Sequence, residues 1–141
     1  RIVGVESQLE ITGFLPRRDA LALICTADIC VSPFHPSPIL DVASPTKLIE
    51  YMALGLPVVA NAHPDQSVIL RESRAGVCVP WGARHFARAV HWLANRSDDE
   101  LITMASRGRE WVAANRTYSS IADTFESACL RTSQCRTKSS T

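Results

Sequence analysis

Ser44-Pro45-Thr46-Lys47-Leu48-Ile49-Glu50-Tyr51-Met52-Ala53-Leu54-Gly55-Leu56-Pro57-Val58-Val59-Ala60 reads as a loop, a helix, a tight turn and a buried strand in one uninterrupted run. Ser44 has the side chain of an N-cap, because its hydroxyl can accept from a backbone N–H of the first helical turn. Pro45 then falls at the first helical position, where a missing N–H costs nothing. Gly55 is placed to close the helix in the left-handed conformation, and Pro57 blocks any continuation. Val58-Val59-Ala60 is the apolar centre of a strand buried on both faces. Leu48, Ile49, Met52 and Ala53 recur at helical spacing and mark the buried side of the helix.

Lys47 stands out. A cation in the first turn opposes the helix dipole. An oxyanion at that N-terminus would reverse the sign, since free N–H groups and Lys47 would both face it. Glu50 shares a face with Lys47, and its carboxylate could accept from sugar hydroxyls. The plainer reading is a solvated Lys47–Glu50 pair worth a few tenths of a kcal/mol.

Working outward, Leu9 to Gly13 reads as a short strand that ends in a turn at Gly13-Phe14-Leu15-Pro16. Asp19 to Thr26 reads as a helix with Leu21, Leu23 and Ile24 among its apolar positions. Ile29 to Ser32 is a buried strand stopped by Pro33, and Phe34 to Ala43 is a proline-rich loop. Beyond Ala60, Asn61 to Gln66 is a loop, and Ser67 caps a short helix reaching Ser73. Gly76 to Val79 is a fourth strand, ended by Pro80. Helices follow from Arg84 to Ala94, from Asp98 and from Ser119. Short apolar strands alternating with helices are the signature of a parallel sheet covered on both faces, an α/β doubly wound fold. Ligands bind such sheets at the carboxyl ends of the strands. Here Gly13–Arg17, Pro33–Ser44 and Asn61–Gln66 leave those ends.

The chain has 141 residues, 46% of them hydrophobic and 21% charged, which suits one soluble domain over residues 1–131 followed by a disordered tail over 132–141. A net charge of +1 gives no electrostatic case for nucleic acid. No apolar run is long enough to span a bilayer. The start, Arg1-Ile2-Val3-Gly4, lacks an initiator Met and lies almost inside a strand pattern, so we expect a piece of a longer protein. Cys25, Cys30 and Cys78 have apolar neighbours and read as buried, reduced thiols, and with Cys129 and Cys135 the count is odd. That usage indicates a reducing, cytoplasmic compartment. His35, His63, His85 and His91 have no ligand spacing, so no metal site is expected. His35 and His63 lie on loops at the ligand end, where exposed loop histidines are the simpler reading. Asp65 reads as a cap or turn residue. Trp81, Trp92 and Trp111 read as packing residues, with Trp81 after Pro80 also able to mark a domain interface.

The order strand-Gly13-Phe14, helix, Ala27-Asp28-Ile29-Cys30-Val31-Ser32-Pro33, loop, then Pro45-Thr46-Lys47 through Pro57-Val58-Val59-Ala60, closely resembles the glycosyltransferases of group 1 (family 4). Ala75 to Pro80 and the helix pair after it fit as well, and the likeness covers Leu9 to Glu126. The resemblance implies a Rossmann-like domain, the C-terminal half of a two-domain, B-type glycosyltransferase that binds a nucleotide-activated sugar. It implies a metal-independent, retaining enzyme of polysaccharide biosynthesis, with no cofactor, that moves a hexose from a UDP- or GDP-sugar to a glycan or lipid acceptor. An N-terminal acceptor domain is then absent, together with the first strand–helix unit of the donor domain. Any peripheral membrane association would run through that absent half, and the fragment alone would be inactive.

In the family pattern, Glu50 matches the second acid of the E-x7-E motif, whose implied role is to hold the ribose hydroxyls. Ser44, Thr46, Lys47 and Leu48 would hold the diphosphate, largely through backbone N–H groups. Phe14 and Leu15 would lie against the base. The first acid of the motif falls on Val42, which cannot fill that role, and the adjacent Asp41 is the substitute. Two other readings stay open. One is a non-catalytic interaction module, with Val42 as its mark of decay. The other is half of a nucleotide-sugar epimerase of similar architecture.

Overall fold

The computed structural model describes the backbone of residues 4–138 and the side chains of residues 4–131. After a single 3-10 turn at Glu6–Gln8, the elements are α1 (Arg17–Ile24), β1 (Cys30–Ser32), α2 (Thr46–Ala53), β2 (Val58–Asn61), α3 (Pro64–Ser73), β3 (Gly76–Val79), α4 (Ala83–Ala94), α5 (Asp98–Asn115) and α6 (Tyr118–Lys138). The strands form one parallel sheet in the order β1-β2-β3, with Cys30 opposite Val58 and Val58 opposite Gly76. Helices cover both faces, so the doubly wound, Rossmann-like α/β fold expected from the alternation is the fold observed.

Each residue of β2 is buried, as a central strand covered on both sides must be. Val58 and Ala60 point into one core cluster with Leu48 and Met52 of α2 and Ile69 and Leu70 of α3. Val59 points the other way, against Ala89 and Leu93 of α4. This alternation is the period of two that strand geometry imposes. α5 lies over the α2–α3 layer, and Gly108 lets it approach closely. A Cβ there would stand 3.0 Å from Ala75 Cβ and 3.5 Å from Met52 Cβ. The α5 N-terminus carries a capping box between Ser97 and Glu100. The hydrogen bonds from Ser97 hold the Glu100 carboxyl below the usual carboxylate range.

The turn after α2 follows its local signals. Gly55 has φ +77°, Gly55 N–H donates to Met52 O and Leu56 N–H donates to Tyr51 O, both at 3.0 Å. That is a Schellman closure. On α2 itself Leu48 and Met52 are fully buried and Ile49 is partly so, but Ala53 is exposed.

Several expectations need correcting. Leu9 to Gly13 is not a strand, so the sheet has three strands among the described residues. A strand needs a neighbour for its backbone groups. None pairs with this segment, and Ile11 is 81% exposed. Ser67 does not cap α3. Pro64 opens that helix, and Ser67 N–H already bonds to His63 O at 2.8 Å. α6 continues to Lys138, past Thr132 where a tail was expected, and no Gly or Pro in that stretch would break it. Residues 139–141 and the opening Arg1-Ile2-Val3 lie outside the described residues. Trp81 and Trp92 are about half exposed rather than buried in packing; Arg96 covers the Trp92 ring at 4.3 Å. Trp111 does pack on the core.

Cys25 and Cys78 are exposed, and Cys30 alone of the expected three is buried. Burial, with a smaller contribution from nearby Cys25, pushes the Cys30 thiol up to about 11. Iodoacetamide at about pH 8 should therefore modify Cys25, Cys78 and Cys129 in the native protein and spare Cys30 until denaturant is added, read by peptide mass.

Gly76 tests the register. A Cβ on it would lie 1.9 Å from Val58 O, a backbone atom that cannot move without breaking the β2–β3 pairing. Gly76→Ala should lower stability by at least about 3 kcal/mol in a urea titration, or prevent folding outright.

Candidate functional site

Because the strands are parallel, their carboxyl ends open on one edge of the molecule. Pro33 follows β1, Ala62 follows β2 and Pro80 follows β3. α2 runs back from that edge, so its N-terminus sits there, preceded by the loop from Pro33 to Pro45.

Side chains from the end of β2 hold this loop at successive points. Asn61 Oδ1 accepts from Phe34 N–H at 2.7 Å, and Asn61 Nδ2 donates to Phe34 O at 2.9 Å. His63 Nε2 lies 2.7 Å from Leu40 O, and since a carbonyl only accepts, Nε2 carries the proton. Asp65 Oδ2 accepts from Ser44 Oγ at 3.0 Å. Beneath them Gln66, fully buried, accepts from Ser32 Oγ at 2.6 Å and donates to Asn61 O at 3.2 Å. The Phe34 ring packs on His63 with centroids 4.8 Å apart. His63 is thus buried, not the exposed loop histidine expected, and among the described residues its Nδ1 has no partner. His35 does stay exposed, edge-on to Trp81 at 5.5 Å.

Asp65 is more than a cap. Its Oδ1 accepts from Arg116 Nη2 at 2.7 Å, and that guanidinium stands 5.7 Å from the Trp111 ring. Ser44 is correspondingly not the N-cap of α2. Its hydroxyl donates to the Asp65 carboxylate, and Pro45 holds the N-cap position rather than the first helical position expected of it, so α2 has no side-chain cap.

Lys47 and Glu50 do not pair with each other. Lys47 Nζ leans toward Pro33 O at 3.5 Å and stands 5.6 Å from the Phe34 ring centroid. Glu50 Oε1 instead accepts from Arg17 Nη2 at 3.2 Å. Of the three amides expected to face an anion, Thr46 N–H bonds to Ser44 O at 3.0 Å and Leu48 N–H to Pro45 O at 3.1 Å. Lys47 N–H has no acceptor among the described residues. The Leu48 side chain is fully buried, so Leu48 serves the core.

Ser44, Thr46, Lys47 and Glu50 therefore lie together along the loop and first turns of α2. Phe14 is 97% exposed on the Gly13 turn and Leu15 is half-buried. Asp41 and the 89% exposed Val42 line an open cleft of about 390 Å³ with Ser44, Asp65 and Arg116. Among the described residues Asp41 makes no hydrogen bond or ion pair with Lys47 or Glu50. Among those same residues no three His, Cys, Asp or Glu side chains are grouped as metal ligands would be. Among the described residues no helix is long and apolar enough to cross a membrane.

Sequence reasoning missed Arg17, Asn61, His63, Gln66 and Arg116. Arg17 carried the same signal as Lys47, a cation at the start of a helix. Asn61, His63 and Asp65 are the polar residues where β2 passes into α3, at the carboxyl end of a buried strand where ligands bind such sheets. For Arg116 there was no local signal.

The family of glycosyl transferases group 1 matches residues 1–96. WcaL of Escherichia coli (strain K12), provisionally named a colanic acid biosynthesis glycosyltransferase, is 30% identical over 110 residues, covering 77% of this chain and 27% of that protein. Its counterpart in Salmonella typhimurium is 29% identical over 111 residues, again 77% of this chain and 27% of the relative. The chain belongs to the group 1 glycosyltransferases. It spans about a quarter, 27%, of the length of the curated relatives it matches.

The Asp65–Arg116 pair, with side chains 26% and 30% exposed, is the best-formed ion pair among the described residues. A double-mutant cycle on Asp65→Ala and Arg116→Ala should give a coupling of about 1 to 2 kcal/mol in urea unfolding, above the usual range for a surface pair.

Proposed function

We propose that this chain is the donor-binding part of a glycosyltransferase that moves a hexose from a UDP- or GDP-sugar to a glycan or lipid acceptor in polysaccharide assembly, with retention and without a metal. The observation that carries the reading is the start of α2. There Lys47, its unbonded N–H and Glu50 stand at the carboxyl edge of a parallel sheet, unpaired with each other. A nucleoside diphosphate presents the complementary groups. Its phosphates suit a helix N-terminus and a lysine, and its ribose diol suits a carboxylate.

In a transfer step the nucleoside diphosphate leaves with added negative charge. Donors fixed before the reaction stabilise that charge without reorganisation. Lys47 Nζ now rests on weak partners, a carbonyl at 3.5 Å and an aromatic face, so little is lost when it turns to a phosphate. Glu50 would hold the ribose, and Phe14 with Leu15 would lie along the base. Ser44, bound to Asp65, fixes where the helix begins. Asp41, beside Val42, would act on the sugar.

Ligand-observed NMR with UDP, GDP and ADP tests the reading. One nucleotide should bind selectively. Lys47→Ala and Glu50→Ala should each weaken it about tenfold or more, the scale of one charge-assisted hydrogen bond. A folded protein that binds none of the three would favour a non-catalytic interaction module instead.

A further inference from the structure

Arg17 is the first residue of α1, and its guanidinium meets a carboxylate on α2, far away in sequence. Its position is not explained by its own helix. A cation at a helix N-terminus is disfavoured by the dipole, and Asp19, two residues on, does not face Arg17, which pairs with Glu50 of α2 instead. The contact uses one oxygen of Glu50, Oε1, at 3.2 Å. Among the described residues the other oxygen, Oε2, has no partner. The Arg17 side chain is 79% exposed, so it contributes little to the core, and pairs so exposed add little to stability.

We infer that Arg17 is a positioning residue for the nucleotide: it fixes the Glu50 carboxylate in advance and leaves Oε2 to accept from the ribose hydroxyls. This rests on the donor-site reading of Glu50. Glutamate has several rotatable bonds, and ordering such a side chain on binding weakens affinity. A carboxylate held from behind by a guanidinium has lost that freedom before the ligand arrives. The turn that precedes Arg17 carries Phe14 and Leu15. The same ion pair therefore also ties the segment assigned to the base to the helix assigned to the ribose and phosphates.

The test is the affinity of the wild type, Arg17→Ala, Glu50→Ala and the double variant for the nucleotide that binds and for its 2′,3′-dideoxy counterpart. Arg17→Ala should weaken the ribonucleotide about two- to tenfold. It should cost nothing further in the Glu50→Ala background, and it should leave the dideoxy nucleotide unaffected. A loss of equal size in that background or with the dideoxy nucleotide would mean that Arg17 touches phosphate or base directly, and would overturn the inference. So would an Arg17→Ala protein with wild-type affinity when Glu50→Ala has lost it. A wild type that binds no nucleotide would remove the donor-site reading and this inference together.

Discussion

The grip of the β2 end on the loop before α2 sets the geometry of everything at the carboxyl edge. Asn61 ends β2, His63 stands at the N-cap of α3 and Asp65 lies in the first turn of that helix, so the crossover from strand to helix presents all three at the carboxyl edge. Each takes hold of a later point on the loop, Phe34, Leu40 and Ser44 in turn. A loop this rich in proline has few backbone donors of its own. Its own turn bonds, from Leu40 and Asp41 N–H to Ser37 O and from Ala43 N–H to Leu40 O, are local, and the contacts from outside tie the loop to the sheet. Asn61 can serve because β2 is central and rigid, paired on both sides and buried along its length. The sheet thus positions the ligand edge through a polar layer, not only through apolar packing. Gln66, bridging Ser32 and Asn61 while fully buried, is the part of that layer that must be satisfied in full.

The Asp65–Arg116 contact extends this control to the far side of the domain. Arg116 ends α5, which packs on α2 and α3, and its guanidinium faces Trp111 of the same helix. One carboxylate therefore reads the position of α5 through Oδ1 and the position of the loop through Oδ2. A shift of α5 along α2 would strain both hydrogen bonds at once. The small residue at Gly108, where the helices touch, keeps that approach close. Core packing and ligand-loop geometry are in this way parts of one arrangement.

Much of this was legible locally. The run from Leu48 to Ala60 combines helical spacing, a left-handed glycine and an apolar strand, and the structure follows these signals, with Gly55 at φ +77°, save that Ala53 is exposed. Those signals act over a few residues, so nothing remote overrides them. Ser44 shows the opposite case. It is a good N-cap by type, but the helix starts one residue later than that signal, with Pro45 at the cap, and Asp65 from a distant part of the chain accepts from its hydroxyl. Cys78 has apolar neighbours in sequence yet lies on a strand at the edge of the sheet, where one side meets solvent. Leu9 to Gly13 has the composition of a strand and lacks a partner. The Lys47–Glu50 pair was the reasonable local expectation, and Arg17 displaced it through a tertiary contact.

The two kinds of polar contact at this edge differ in what they permit. Asn61, Gln66 and His63 are buried, and their bonds are short; breaking one would strand a polar group away from water, at a cost of about 1 to 3 kcal/mol. They belong to the fixed part. Lys47 and Glu50 sit further out: Lys47 rests on a carbonyl at 3.5 Å that can be exchanged for a ligand contact at little cost, and Glu50, tied to Arg17 through Oε1, offers its second oxygen. A site that must take up and release a charged molecule needs both. The buried amides and imidazole hold the helix N-terminus still, so that an anion meets donors already in place. Lys47 remains free to trade partners. Burying Lys47 in an ion pair would penalise that exchange, because its departure would leave a buried charge without its partner.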